Sequence, residues 1–280
     1  MTGKRFRVGV AAASSRFSSV VSGRLTAQVA ATRPNVELVF HPDAFREHGH
    51  FAGDDATRAR ALLDLANDPS IDAIWFGRGG YGACRIAETV MAGLTDVARA
   101  KRWLGYSDVG SLLAGLYRLG FPHIAHGPMG ADVLRPGGEA AVDRALDWLE
   151  TGAASSLEPN LDGRPTVAFN VSVLGALLGT ALEPDLAGHV LMLEEVSEPL
   201  YRLDRELFHI TGQPAIRRVA GIRLGRVSEI VANEPDFLIS PEMIMRDWCE
   251  RSGIPFLGAA DIGHDTDNKV VPFGPGYRVT

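Results

Sequence analysis

The chain has 280 residues, of which 46% are hydrophobic and 22% charged, and its formal net charge is −6. That length supports a sizeable core and two domains, and the composition is ordinary for a soluble globular protein. The acidic balance leaves no electrostatic footprint for nucleic acid or an anionic membrane surface.

In chain order, Lys4-Arg5-Phe6-Arg7 precedes an apolar run over 8–13. This has the outline of a signal peptide, but the run is too short and Ser14, Ser15 and Arg16 break it, so a first strand over 7–12 explains it better. A helix is expected at 18–31 and a strand at 36–40. Residues 55–66 carry Ala59, Leu62, Leu63 and Leu65 behind an aspartate and predict a helix. There follow a buried strand at 71–76, a helix at 81–94 with Ile86, Val90 and Leu94 on one face, a strand at 102–106 and a helix at 109–119. A short strand starts at Ile124, and a helix spans 140–150. Residues 151–164, rich in Gly, Ser, Pro and Asn, read as a linker. Beyond it the pattern predicts a helix near 172–182, a strand at 189–193 and a helix near 201–211. β-rich stretches over 216–227, a helix at 241–251 and short strands at 255–257 and 270–272 complete the chain.

Alternating strands and helices imply the α/β class. The expected layout is a doubly wound parallel sheet over 1–150, a linker over 151–164 and a smaller mixed α/β domain over 165–280. In such sheets ligands bind outside the carboxyl ends of the strands, where the loops after Phe76 and Tyr106 fall. The apolar stretch 167–182 is broken by Asn170, Ser172 and Thr180 and is too short to span a membrane. Cys84 and Cys249 read as buried free thiols. A soluble, cytoplasmic protein is expected.

Four constellations carry candidate chemistry. Ser107, in Leu104-Gly105-Tyr106-Ser107-Asp108-Val109-Gly110, stands where a buried strand meets an amphipathic helix. A serine on that sharp turn exposes its hydroxyl beside a helix amino terminus, the geometry of an acyl-transfer nucleophile. Ser and Asp are also common caps, and taken alone the pair reads first as a cap. Gly77-Arg78-Gly79-Gly80-Tyr81-Gly82 follows a strand and opens a helix, which suits a phosphate cradle or half of an oxyanion hole, and otherwise a tight turn. Its spacing matches neither the dinucleotide fingerprint nor the P-loop. Leu193-Glu194-Glu195 puts paired carboxylates at a strand end, able to orient a histidine or simply to form a solvated turn. His264, in Gly263-His264-Asp265, is a candidate general base, or a locally bonded loop histidine. His48-x-His50 and His123-x-x-His126 lack further ligands, so no metal site is expected.

In order along the chain, these pieces resemble the LD-carboxypeptidase family of serine peptidases, which includes muramoyltetrapeptide carboxypeptidases and the microcin C immunity protein. The resemblance is carried by Asp68-Pro69-Ser70-Ile71-Asp72-Ala73-Ile74-Trp75, Arg78-Gly79-Gly80-Tyr81-Gly82, Gly105-Tyr106-Ser107-Asp108, His126-Gly127-Pro128-Met129, residues 174–180, residues 193–198 with Tyr201-Arg202-Leu203-Asp204-Arg205, and Gly263-His264 with Asn268. It implies a flavodoxin-like N-terminal domain, a smaller C-terminal domain with the site between them, a homodimer and no cofactor. It also implies a Ser-His-Glu triad of Ser107, His264 and Glu194, with Glu195 as the other candidate acid, and an oxyanion hole from the N–H of Asp108 and one from Gly79 or Gly80. Arg78, Tyr81 and Arg202 are implied substrate contacts, and Arg78, Arg202 and Arg223 are candidates to grip a terminal carboxylate. The family often has Gly-Gly-Asn-Leu where this chain has Ala168-Phe169-Asn170-Val171, a departure in the substrate pocket. The implied activity is hydrolysis of the bond to a terminal D-alanine in a murein tetrapeptide. The alternatives are a same-fold hydrolase of peptidyl or aminoacyl nucleotides, an α/β-hydrolase, and a non-catalytic binder of an anionic ligand. An α/β-hydrolase should carry its oxyanion motif before the nucleophile, whereas His126-Gly127-Pro128 comes after it.

Overall fold

The computed structural model describes residues 4–277. In the first half, β1 (Phe6–Ala11), β2 (Val36–Phe40), β3 (Ala73–Phe76), β4 (Arg102–Gly105) and β5 (Ile124–His126) form parallel neighbours in the order β5-β4-β3-β1-β2. Counted from the far edge this is 2-1-3-4-5, the flavodoxin-like winding, so that expectation holds. β3 is buried at all four positions, which is why Ala-Ile-Trp-Phe shows no polar alternation. The helices are α1 (Ser19–Thr32), α2 (Asp55–Asn67), α3 (Ala83–Gly93), the one-turn α4 (Asp96–Arg99), α5 (Gly110–Arg118) and α6 (Gly138–Thr151). Ser18 and Asp54 cap α1 and α2 by accepting the N–H groups of Val21 and Thr57. α3 has no cap of its own: Gly82 precedes it at φ 129, and the N–H of Ala83 is bound by the Asp108 carboxylate at 2.8 Å.

A second sheet follows, of β6 (Thr166–Asn170), β7 (Val190–Val196), β8 (Gly221–Ser228) and β9 (Phe256–Ala259), parallel in that order. α7 (Val171–Leu177), α8 (Leu200–Gly212) and α9 (Pro241–Ser252) connect them. The last strand, β10 (Val271–Pro272), returns to the first sheet and pairs antiparallel with β5. The second unit is thus stitched into the first, and one apolar cluster runs through Phe76, Tyr106, Val109, Phe169, Leu193 and Leu203.

Several local expectations are corrected. The segment 151–164 is no loose linker: Leu157 and Leu161 are buried, and the fully buried Glu158 takes two bonds from Arg223, at 2.8 and 2.7 Å. β6 was not anticipated, and α7 starts directly from it and stops at Leu177. β7 runs on to Val196, so Glu194 and Glu195 lie within a strand rather than after one. Cys249 is buried as expected, but Cys84, in the first turn of α3, is exposed. Among the described residues no helix is long and apolar enough to cross a membrane.

Candidate active site

β4 delivers Tyr106 and Ser107 to the carboxyl edge of the first sheet. Ser107 has φ 61, and a 3-10 turn (Ser107–Val109) carries the chain from it into α5. A left-handed serine costs roughly 1–3 kcal/mol, and the strained strand-to-helix turn is the form that exposes a nucleophile. Gly105 permits it, since a Cβ there would lie 2.7 Å from Val109 and 2.8 Å from Phe76.

The glycine turn after β3 lies against this serine. A Cβ on Gly79 would be 3.2 Å from Ser107 Oγ, and one on Gly80, where φ is 110, would lie 2.0 Å from Ser15 Oγ. The loop after β1 holds the turn in place. Ser15 N–H donates to the Gly79 carbonyl at 3.3 Å, and Ser15 Oγ accepts from Tyr81 N–H at 3.4 Å and pairs with His50 Nε2 at 2.8 Å. Among the described residues, the N–H groups of Gly79, Gly80 and Asp108 have no acceptor in the protein. The Asp108 side chain is occupied elsewhere: its Oδ2 accepts from Ser14 Oγ at 2.5 Å and from Ala83 N–H. Burial raises its carboxyl above the ordinary value against the pull of those bonds.

Glu194 reaches the site from the second sheet. It is fully buried, and its Oε2 lies 2.6 Å from His264 Nδ1. Room for it comes from β8, which has one residue more than β7 at this point. Gly225 stands in that irregularity, where a Cβ would lie 3.0 Å from the Glu194 Cβ. Burial raises the Glu194 carboxyl, partly offset by His264. For His264, burial pulls the imidazole down, but the Glu194 charge and hydrogen bond, with Glu195 and Asp132 behind them, outweigh it and leave the ring raised above 6.5. Nδ1 is committed to Glu194, so Nε2 is the ring's available base.

The loop bearing His264 is tied down by Asn268, whose Oδ1 accepts from Gly263 N–H at 3.2 Å and lies 3.3 Å from His126 Nε2. Burial, then the His264 charge, hold His126 down to about 3, so it is neutral and donates Nε2–H. The Tyr106 ring packs 4.8 Å from the His264 ring, and its hydroxyl donates to Asp132 Oδ1 at 3.0 Å. Glu195 serves the opposite face: Asn170 Nδ2 at 2.6 Å, Val196 N–H at 2.9 Å and both Ser172 donors at 2.8–2.9 Å saturate it.

Two cavities meet at Ser107 and Gly80. One, of about 360 Å³, is lined also by Arg78, Gly79, Arg135 and His264. The other, of about 330 Å³, is lined by Tyr81, Cys84, Asn170, Ser172 and Glu198. Ser107 and His264 line the first cavity together, with no hydrogen bond between them. Of the expected substrate contacts, Arg78 lines the first cavity and Tyr81 the second. Arg202 lines neither and pairs with Glu198 at 3.2 Å. Arg223 is excluded as a carboxylate grip, because its guanidinium is buried on Glu158 and the Ala259 carbonyl. Sequence reasoning missed Ser14, Ser15, Asp132 and Arg135. The Asp132-x-x-Arg135 spacing was the one available signal, and it is common on any helical turn.

The LD-carboxypeptidase N-terminal domain model matches residues 8–127, and the LD-carboxypeptidase C-terminal domain model matches residues 165–279. The chain belongs to the LD-carboxypeptidase family. A Synechocystis protein of carboxypeptidase designation is 31% identical over 244 residues, covering 85% of this chain and 79% of the relative. The murein tetrapeptide carboxypeptidase of Pseudomonas aeruginosa is 27% identical over 284 residues, covering 96% and 91%. Two solved structures share the fold. Muramoyltetrapeptide carboxypeptidase from Oxalobacter formigenes has a TM-score of 0.80 at 21% identity, covering 96% of this chain and 92% of that one. The microcin C7 self immunity protein MccF, in complex with aspartyl sulfamoyl adenosine, has a TM-score of 0.80 at 17% identity, covering 96% and 91%. As an LD-carboxypeptidase family member the chain is an enzyme of the carboxypeptidase class.

Proposed function

We propose that this chain is a serine carboxypeptidase that cleaves the bond between an L-configured centre and the terminal D-alanine of a murein tetrapeptide, with Ser107 as nucleophile, His264 as general base and Glu194 as its orienting acid. The observation that carries the reading is the 2.6 Å contact between Glu194 and His264, reached from the second sheet, on a cavity shared with a serine at φ 61.

In the mechanism, Ser107 Oγ attacks the scissile carbonyl while His264 Nε2 takes its proton. Charge on the carbonyl oxygen is met by the unpaired N–H groups of Asp108 and Gly79 or Gly80, and each such donor contributes about two to three orders of magnitude to turnover. The imidazolium, stabilised by Glu194, gives its proton to the departing amine as the C–N bond breaks. Water, deprotonated by His264, then hydrolyses the acyl-serine and restores the Ser107 hydroxyl. Arg78 and Tyr81 stand on opposite sides of the nucleophile as substrate contacts, and Arg202 acts there only through Glu198. We place the enzyme in the cytoplasm as a homodimer, in keeping with its free cysteines and its family.

The alternative substrate is a peptidyl or aminoacyl nucleotide, favoured by the likeness in fold to MccF. Turnover of a murein tetrapeptide against an aminoacyl sulfamoyl adenosine separates the two. The proposal expects release of D-alanine and slow or no cleavage of the nucleotide. Cleavage of the nucleotide alone would overturn it.

A further inference from the structure

We propose that Arg135 receives the free α-carboxylate of the departing amino acid, which makes the cavity on the His264 side the leaving-group site. The inference rests on the carboxypeptidase reading and gives that reading a polarity.

The substrate must straddle Ser107 with one part in each cavity. The general acid that protonates the departing amine is His264, so the leaving residue has to lie on the side His264 lines. Arg78 and Arg135 are the two arginines lining that side. Asp132 also lines that side, but its carboxylate is taken up by Arg135, Met129 N–H and Tyr106 O–H; the other cavity has no arginine, and Asp108, Glu195 and Glu198 line it. A departing carboxylate is therefore repelled from one cavity and attracted to the other.

Arg135 suits this task better than Arg78. Its Nε donates to Asp132 Oδ1 at 3.1 Å, and Asp132 is buried, accepting also from Met129 N–H at 2.9 Å and Tyr106 O–H at 3.0 Å. Tyr106 is the residue before the nucleophile and packs on the His264 ring. The guanidinium is thus fixed by a chain of contacts that begins at the catalytic groups. Neither Nη of Arg135 has an acceptor among the described residues, although Glu229 also acts on it electrostatically. Two free Nη groups on an anchored fork match a carboxylate two-to-two. Arg78 is exposed and spends an Nη on the Arg16 carbonyl. Asp132 and Tyr106 are positioning residues in this scheme.

The test measures kcat/KM for a murein tetrapeptide ending in D-alanine and for its D-alaninamide analogue, using wild type, Arg135→Met, Arg135→Lys and Arg78→Met. Losing a charge-assisted contact predicts that wild type prefers the free acid by about ten- to a hundred-fold. Arg135→Met should bring the ratio near one by lowering turnover of the free acid far more than that of the amide, a pattern that misfolding, which lowers both alike, does not produce. Arg135→Lys should keep part of the preference, and Arg78→Met should keep most of it. A preference that survives Arg135→Met, or collapses in Arg78→Met instead, overturns the assignment while leaving the carboxypeptidase reading intact. A wild-type enzyme that releases neither product overturns both.

Discussion

Glu194 and Glu195, adjacent in β7, have opposite environments: Glu194 Oε2 meets His264 Nδ1 at 2.6 Å, while Glu195 is saturated by Asn170, Ser172 and Val196. Strand alternation sends consecutive side chains to opposite faces, so one carboxylate reaches the histidine and the other fastens the start of α7. Sequence left the choice between them open; the side-chain contacts favour Glu194 as the acid.

The first consequence concerns pH. In the proposed mechanism His264 must be neutral to accept the Ser107 proton, and its folded value is raised above 6.5. Activity should therefore be full above that raised value and fall as pH drops through it, which places the acid limb of kcat/KM above pH 6.5. Glu194→Gln removes the largest raising influence and leaves burial to dominate. Its residual activity, reduced by up to about four orders, should show an acid limb shifted to lower pH. A pH–rate profile of the two enzymes checks both directions.

Glu195→Gln should behave differently. It disrupts a buried network, and each donor left unsatisfied costs about 1–3 kcal/mol. The expected result is a lower denaturation midpoint with the acid limb of kcat/KM moved to lower pH by less than in Glu194→Gln, because Glu195 raises His264 through its charge alone while Glu194 also bonds the ring, read by urea unfolding alongside the pH profile.

Gly80→Ala should damage chemistry more than binding. The new Cβ would lie 2.0 Å from Ser15 Oγ on a backbone at φ 110, so the turn must shift and withdraw an oxyanion donor. A drop in kcat of about two to three orders is expected, with KM little changed, measured by steady-state kinetics on the tetrapeptide.

Arg223→Met should act on stability alone. It strands the fully buried Glu158 carboxylate between the 151–164 segment and β8. Breaking a buried pair in this way costs about 3–5 kcal/mol. Thermal or urea denaturation should show that loss, while the KM of the molecules that remain folded stays at the wild-type value.

Much of the fold is legible in the sequence because the first half alternates cleanly between strand-length apolar runs and helices with one apolar face. Val36 to Phe40 was placed at its observed bounds. β6 was not legible, for a physical reason: all five of its residues are buried, so it has no alternation, and Asn170 ends the strand and caps α7 at once by accepting Val173 N–H. No turn residue marks the boundary. Ser107, Glu194 and His264 were visible as residue types at strand ends and in a glycine-flanked loop. Arg135 was not, because its meaning comes from Asp132 and Tyr106, and the Tyr106–Asp132 contact joins residues 26 apart in sequence. The role of the Asp108 side chain was hidden in the same way: the N–H it binds belongs to α3, and the hydroxyl to the loop after β1.

Covalent labelling reports whether Ser107 is the nucleophile. Intact and peptide mass spectra after exposure to a serine-reactive fluorophosphonate should show one adduct on the peptide carrying Ser107, absent from Ser107→Ala. An adduct that persists in Ser107→Ala, or full tetrapeptide hydrolysis by that variant, would mean that the nucleophile is another residue.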